Sequence, residues 1–248
     1  PDILALVEVE NARGIADLVR KLPNPTSYTV VHVEGEASRG REVGLITRFP
    51  VMNKTSHFVW DGIRDILQVD LNVYGKRLTV LVVHWKSRVG GAFETADLRT
   101  LCAARAYQLY QDIVRQNEAA DIIITGDFND TPQNLSITDV LSAKASREKV
   151  LKQRGRNELY NCTTELLGKS PGTHFYDHEW SFLDQMIVSK GMLDPEGLRY
   201  QPGSIAVFNP NGVLVREGAP WRFGGKKEQN RGYSDHLPLV ARFWVDGR

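Results

Sequence analysis

The chain has 248 residues, 42% hydrophobic and 25% charged, which suits one large domain, or at most two, with a substantial core. Its formal net charge of +1 excludes a bulk polycationic field, so any nucleic-acid partner must be held by local patches. No apolar run is long enough to span a bilayer, and two cysteines, Cys102 and Cys162, are too few for a disulfide framework. One bridge or two reduced thiols would fit them equally. The chain opens mid-pattern at Pro1-Asp2-Ile3-Leu4, so further N-terminal residues are expected, and the compartment, secreted or cytoplasmic, stays open.

Ile3-Leu4-Ala5-Leu6-Val7 reads as a short buried strand that runs into Glu8-Val9-Glu10-Asn11. An acid at the carboxyl end of a buried strand sits where α/β folds place their active sites, and Glu8 follows the strand directly. An ordinary solvated strand end is the alternative. Residues 12–22 carry Ile15, Leu18, Val19 and Leu22 at helical spacing, and Pro23 stops them.

Strands are expected from Tyr28 to Val33 and from Val43 to Ile46, around a polar loop containing Arg39 and Arg41. With Arg48, these arginines offer phosphate contacts, although each alone reads as a surface residue. Ile66–Val73 and Leu78–Val83 form a predicted hairpin around Tyr74-Gly75-Lys76-Arg77. The second strand runs into His84-Trp85-Lys86-Ser87-Arg88 ahead of Gly90-Gly91. A lone His is usually structural, but Lys86, Ser87 and Arg88 beside it offer several phosphate-directed donors together. Residues 94–116 predict a long helix, with Leu98, Leu101, Ala104, Leu109, Ile113 and Val114 as its apolar positions.

The apolar run Ile122-Ile123-Ile124-Thr125 then meets Gly126-Asp127-Phe128-Asn129-Asp130. If the backbone stays extended, Asp127 and Asn129 project from one face and can grip a hard cation and a phosphate oxygen. A turn accounts for the same residues equally well, since Thr131-Pro132 follows. Ser136 is placed to cap a further helix, and residues 147–156 present Lys149, Lys152 and Arg154 as a solvated basic face.

Beyond Gly172, Thr173–Tyr176 looks like a strand, and Trp180–Leu183 leads to Asp184-Gln185 and Met186-Ile187-Val188. A carboxylate at the start of an apolar strand is costly unless paired, which makes Asp184 a candidate for holding a histidine. Residues 213–231 mix Trp221, Arg222 and Phe223 with Lys226, Lys227 and Arg231. Aromatics interleaved with cations suit base stacking and phosphate pairing, and a plain surface loop fits the composition as well. The chain closes with Ser234-Asp235-His236 and a strand from Leu239 to Val245.

Five strand boundaries thus carry acid, amide or imidazole groups: Glu8, His84, Asp127 with Asn129, Asp184, and Asp235 with His236. Together they suggest one cleft. Among divalent ions, oxygen-rich ligands favour Mg²⁺ or Mn²⁺, with Ca²⁺ as a further option, and no zinc spacing is present.

In their order and spacing, Leu6-Val7-Glu8-Val9, His84, Gly126-Asp127-Phe128-Asn129, Leu183-Asp184-Gln185 and Ser234-Asp235-His236 resemble the motifs of the endonuclease/exonuclease/phosphatase superfamily, the DNase I-like enzymes. The resemblance spans essentially the whole chain and implies a single domain with a four-layered α/β sandwich, two mixed sheets packed face to face and helices outside. It also implies that the family's first strand, which bears an Asn at the metal site, precedes Pro1. The implied activity is divalent-metal-dependent phosphodiester hydrolysis by water.

Under the same resemblance, Glu8 is the main metal ligand, with Asp235 and Asp127 completing the sphere. Asp127 and Asn129 position water and phosphate. His236, oriented by Asp184, acts on the water or the phosphorane, so a bend is expected between Asp235 and His236. His84 contacts phosphate or protonates the leaving oxygen, with Glu42 as its orienting glutamate. Arg41, Lys86, Ser87, Arg88, Trp221 and Arg222 are expected to bind substrate. Nucleic acid is the first expected substrate, and an inositol phosphate or phospholipid headgroup is the alternative. An inactive binding domain is the contrasting reading. A monomer without membrane insertion is expected, as neither a membrane-binding hairpin nor a dense lysine cluster is visible.

Overall fold

The computed structural model of the chain describes residues 1–33, 42–153, 157–224 and 231–246. Strand β1 (Ile3–Val9) carries a register shift between Leu6 and Val9 and leads to helix α1 (Ala12–Val19). Asn11 caps that helix: its Oδ1 accepts from the Gly14 N–H at 2.9 Å. The helix ends before the expected Leu22, because Lys21 and Leu22 close tight turns onto Leu18 and Val19 ahead of Pro23. Strands β2 (Thr29–His32) and β3 (Glu42–Thr47) complete an antiparallel sheet in the order β1-β3-β2. Arg39 and Arg41 lie outside the described residues.

Next come β4 (Val51–His57), β5 (Ile66–Val73) and β6 (Lys76–His84), helix α2 (Ala96–Val114) and β7 (Asp121–Asp127). Short β8 (Ala143–Lys144), helix α3 (Arg147–Lys152) and β9 (Leu159–Asn161) follow, then a hairpin of β10 (His174–Tyr176) and β11 (Glu179–Ser181), and β12 (Asp184–Val188). Seven of these build one mixed sheet, β4-β5-β6-β7-β12-β9-β8, in which β6 runs parallel to β7 and β8 to β9. Strand β4 has no apolar alternation to announce it. It lies at the sheet edge, where among the described residues only β5 pairs with it, and polar side chains suit solvent. The β5–β6 turn is tighter than expected: Tyr74 and Gly75 alone make it, both with positive φ, the geometry that matches strand twist.

The remaining strands are β13 (Leu198–Tyr200), β14 (Ala206–Val207), β15 (Val215–Arg216), β16 (Ala219–Pro220), β17 (Leu239–Val240) and β18 (Phe243–Val245). The single closing strand expected over 239–245 is therefore split. Its first half pairs with β14 and its second with β13.

Side-chain alternation explains the layers. Val80, Val82, Ile123 and Val188 leave one face of the large sheet and meet Val31, Val43 and Leu45 of the small one. Leu81, Ile122, Ile124 and Ile187 leave the other face and meet Cys102, Ala106, Tyr110 and Val114 of α2. Helix α1 covers the small sheet through Ile15 and Val19 against Ile46. The result is a four-layered α/β sandwich. Cys102 and Cys162 are free and buried in clusters on opposite faces of the large sheet, so they are not bridged to each other.

The buried stripe of α2 differs from the expected one. Arg99, Cys102, Ala103, Ala106, Leu109, Tyr110 and Val114 face inward, while Leu101 is exposed. A charged residue occupies the inward row because it finds a carboxylate there, Asp130 at 2.7 Å from Nε.

Candidate active site

Three neighbouring strands end at one place. In the parallel register of β6 and β7, His84 stands beside Asp127, and in the antiparallel register of β7 and β12, Asp127 stands beside Asp184. Residues opposite one another project from the same face of a sheet. Counting back by twos gives Val82, Thr125 and Met186, so that face is the one turned toward β1 and the small sheet. His84 is buried beneath the site, with Nε2 at 3.4 Å from Asp127 Oδ2.

The chain turns immediately past Asp127. Asn129 has a left-handed backbone (φ 50°), its N–H donates to Asp127 Oδ1 at 2.8 Å, and its Nδ2 donates to Asp127 Oδ2 at 2.9 Å. The extended backbone considered for 127–129 is thus replaced by an Asx-type turn, and Asn129 meets Asp127 by curling back to it. Its Nδ2 also donates to the Trp85 carbonyl at 3.2 Å, which ties the turn to the end of β6. Gly126 makes the entry feasible: it has φ 138°, and a Cβ there would lie 2.0 Å from the Val83 carbonyl oxygen.

Opposite this turn, His236 Nδ1 is 2.7 Å from Asp184 Oδ2. Asp235 lies at a bend, and the His236 N–H donates to Ser234 Oγ at 3.0 Å. Burial works against charge on His236, yet the charge and hydrogen bond of Asp184, backed by Asp127 and Asp235, raise its pKa to about 9. Burial, with repulsion from Asp184 and Glu8, pushes the Asp127 carboxyl well above the carboxylate range.

Glu8 joins this charge cluster from across the sandwich. Strand β1 packs on β6 and β7, and Glu8 is exposed with φ 57°, inside the irregular stretch between Leu6 and Val9. A bulge of this kind re-aims a side chain, and backbone strain of this sort concentrates at functional sites. Glu42 is buried at the start of β3, paired with Val9, and so reaches the same end of the sandwich.

The donor set fits a hard divalent ion. Asp127, Asp184 and His236 each offer a ligand atom, all within 4.8 Å of one another, and Glu8 adds charge near Asp127. Asp184 and His236 already engage each other, which leaves Asp127 and Glu8 as the carboxylates best suited to an oxygen-seeking cation. Such a cation would offset both the burial of the Asp127 charge and its repulsion from Asp184 and Glu8.

The expected substrate contacts divide. Lys86 and Ser87 are half-buried beside the site. Arg88 turns inward: its Nε donates to the Asn129 carbonyl at 2.7 Å, and a guanidinium nitrogen lies 3.3 Å from Asp130 Oδ1. That engagement braces the turn. Trp221 stacks edge-on with Tyr233 and lies under Arg216, while Arg222 is exposed at 3.4 Å from Asp235.

Several residues that position the site had no visible signal. Asp130 is buried and accepts from Arg99, Arg88 and Ser136, whose hydroxyl donates to its Oδ2 at 2.6 Å. Ser136 was expected to cap a helix. It lies instead inside a π-helical turn (Ser136–Val140), and the buried Asp130 carboxylate is the stronger acceptor for its hydroxyl. Gln185 Nε2 holds the Asp130 carbonyl at 2.6 Å, and the Asp184 N–H donates to Thr173 Oγ1 at 3.2 Å. His174 forms a β-bridge with His236, their rings 4.5 Å apart. Burial and the neighbouring His236 lower its pKa. A polar residue inside an apolar stripe, as at Arg99, is the one cue that could have revealed this frame.

A sandwich whose strand ends gather carboxylates, an amide and a carboxylate-held imidazole defines a phosphoester hydrolase. The chain belongs to the Endonuclease/Exonuclease/phosphatase family, whose model matches residues 1–243. No curated protein sequence matches it. Among solved structures, the human Nocturnin catalytic domain with bound sulfate anion is similar at 19% identity and TM-score 0.64, covering 99% of this chain and 81% of that one. D. rerio TDP2 complexed with single strand DNA product is similar at 16% identity and TM-score 0.63, with 99% and 86% covered. The Bacteroides thetaiotaomicron VPI-5482 mannosyl-6-phosphatase Bt3783 is similar at 15% identity and TM-score 0.59, with 98% and 85% covered.

Proposed function

We propose that this enzyme hydrolyses phosphodiesters of nucleic acid with a divalent cation, Mg²⁺ or Mn²⁺, by direct attack of water. The observation that carries the proposal is the His236–Asp184 pair facing Asp127 across one strand end, with Glu8 beside it. Glu8, Asp127 and Asp235 would hold the cation. When bound there, it would neutralise a non-bridging oxygen of the scissile phosphate.

The chain's own groups supply the rest. Asp127, held by two bonds from Asn129, presents a fixed carboxylate that accepts a proton from the attacking water. His236 is imidazolium at neutral pH, with Asp184 fixing its ring, and it donates to the charge that develops on the phosphorane. The phosphorus–oxygen bond to the leaving group then breaks, and the departing oxygen takes that proton. His84, buried against Asp127, stabilises the site from below, and Glu42 is its proposed orienting partner. Lys86, Ser87, Trp221 and Arg222 provide the flanking contacts.

Single-stranded nucleic acid is favoured by the shared fold with a protein holding a single strand DNA product and by the aromatic residues bordering the site. A sugar phosphomonoester is the second reading, favoured by the shared fold with a mannosyl-6-phosphatase. A substrate panel separates the two: supercoiled plasmid, single-stranded RNA and DNA, a phosphodiester ester and mannose 6-phosphate, each with Mg²⁺, Mn²⁺ or EDTA. Strand cleavage without phosphate release from the sugar is the expected result. Phosphate release alone would overturn the nuclease assignment.

A further inference from the structure

A column of three rings leaves the site. His236 is the innermost, its ring centroid 4.5 Å from that of His174, and His174 in turn stacks on Tyr176 at 6.5 Å with the planes 16° apart. Exposure increases outward: His174 is half-buried, whereas Tyr176 is 76% exposed.

The backbone holds this column firmly. His174 and Tyr176 are two residues apart on β10, so both side chains leave the same face. Strand β10 is fixed on one side by the bridge from His174 to His236 and the Leu237 N–H bond to the Thr173 carbonyl at 2.7 Å. On the other side it pairs with β11, and Asp177 and His178, both at positive φ, close a two-residue turn immediately after Tyr176. Phe175 and Trp180 pack together from the opposite face, rings 5.4 Å apart. An exposed tyrosine on so short and braced a hairpin gains little from folding, because most of its ring remains in water.

We propose that Tyr176, held by His174, is a stacking platform for a nucleobase next to the scissile phosphate, a specificity residue for single-stranded substrate. The proposal rests on the nuclease reading of the same site. Stacking needs a flat apolar face already in place, and the column sets the Tyr176 ring one ring beyond His174 from His236, clear of the acid and imidazole cluster itself. The platform tolerates any base, since every base offers a π-face.

The test compares an oligothymidylate with a chain of equal length built from abasic tetrahydrofuran phosphates, both with Mn²⁺ or Mg²⁺. The phosphodiesters are the same and only the bases differ. Wild type should cleave the thymidylate chain with about tenfold higher kcat/KM, the range expected for one base–aromatic stack. Tyr176→Ala should lose about that factor on the thymidylate chain, chiefly through KM, and change the abasic chain less than twofold. Tyr176→Phe and Tyr176→Trp should restore cleavage, which also shows that the hairpin has folded. Equal cleavage of the thymidylate chain by wild type and Tyr176→Ala overturns the platform, as does an equal loss on both chains. If wild type cleaves neither chain yet hydrolyses a phosphomonoester, the nuclease reading itself fails and the platform falls with it.

Discussion

Asp184 stands directly opposite Asp127 in the antiparallel register of β7 and β12, and the two meet different histidines, His236 at 2.7 Å from Asp184 and His84 at 3.4 Å from Asp127. Asp184 holds His236 Nδ1 at 2.7 Å, whereas Asp127 is held by Asn129. Two carboxylates side by side would repel. The imidazolium on one and the amide donors on the other give each a separate task.

Removing the Asp184 charge should therefore act through His236. In Asp184→Asn the pKa of His236 should drop from about 9 toward its ordinary 6.5. The alkaline limb of the kcat/KM profile should shift down with it. His236→Ala should lose the limb and roughly 10²–10⁴-fold in kcat. A profile of Asp184→Asn that superimposes on wild type would argue against this coupling.

Metal-free stability should depend on pH with a defined sign. Asp127 has a carboxyl raised from 3.8 to about 7, so its neutral form is favoured in the fold. Its contribution is complete below 3.8 and is lost as pH rises through about 7. His236 is raised from 6.5 to about 9, so its contribution is complete below 6.5 and is lost as pH rises through about 9. Thermal unfolding in EDTA should show Tm falling across both intervals. Burial raises the Asp121 carboxyl to about 7 as well, so Asp127→Asn should shrink the lower step without removing it while abolishing metal-dependent turnover, and Mn²⁺ should reduce the step in the wild type by the same part.

The brace beneath the turn should matter for stability more than its distance from the phosphate suggests. Arg99 is 2% exposed, and Asp130 is its carboxylate partner at 2.7 Å. Asp130→Ala strands a buried guanidinium and should cost about 3–5 kcal/mol in urea unfolding. Replacing the exposed Lys149, by contrast, should change stability by less than about 0.5 kcal/mol.

Gly126→Ala tests the close approach of β7 to β6. The added methyl would meet the Val83 carbonyl at 2.0 Å, at a backbone φ of 138°. A loss above about 2 kcal/mol is expected in denaturant unfolding, since strain and overpacking act together. A stable, fully active variant would mean that the strand ends can separate without cost.

Chelation gives the broadest check. EDTA should abolish turnover, Mg²⁺ or Mn²⁺ should restore it, and Glu8→Gln should raise the metal concentration required at least tenfold. Titration calorimetry of metal binding reads the same change without turnover. Unaltered metal binding by Glu8→Gln would remove Glu8 from the ligand set.

The long apolar runs of the large sheet, and the residues that end them, could be read without the fold. Ile122-Ile123-Ile124 is a continuous apolar run and Leu78–Val83 is broken only by Thr79, because each face of the large sheet is covered; a polar group under that cover needs a partner, as Thr79 has in Asp70. Glu8, His84, Asp127, Asp184 and His236 were therefore legible as strand boundaries, and the layered fold was legible through the family resemblance that their motifs carry. Tertiary structure alone decided the partnerships. Asp184 and His236 are 52 residues apart, and only strand register and the bridge from His174 to His236 bring them together. The buried frame of Arg99, Asp130, Ser136 and Gln185 was equally hidden, since a charge in an inward helical row becomes affordable only when its distant partner arrives. Local pattern reports how much of a chain is buried; which polar atoms meet is set by contacts that sequence spacing does not encode.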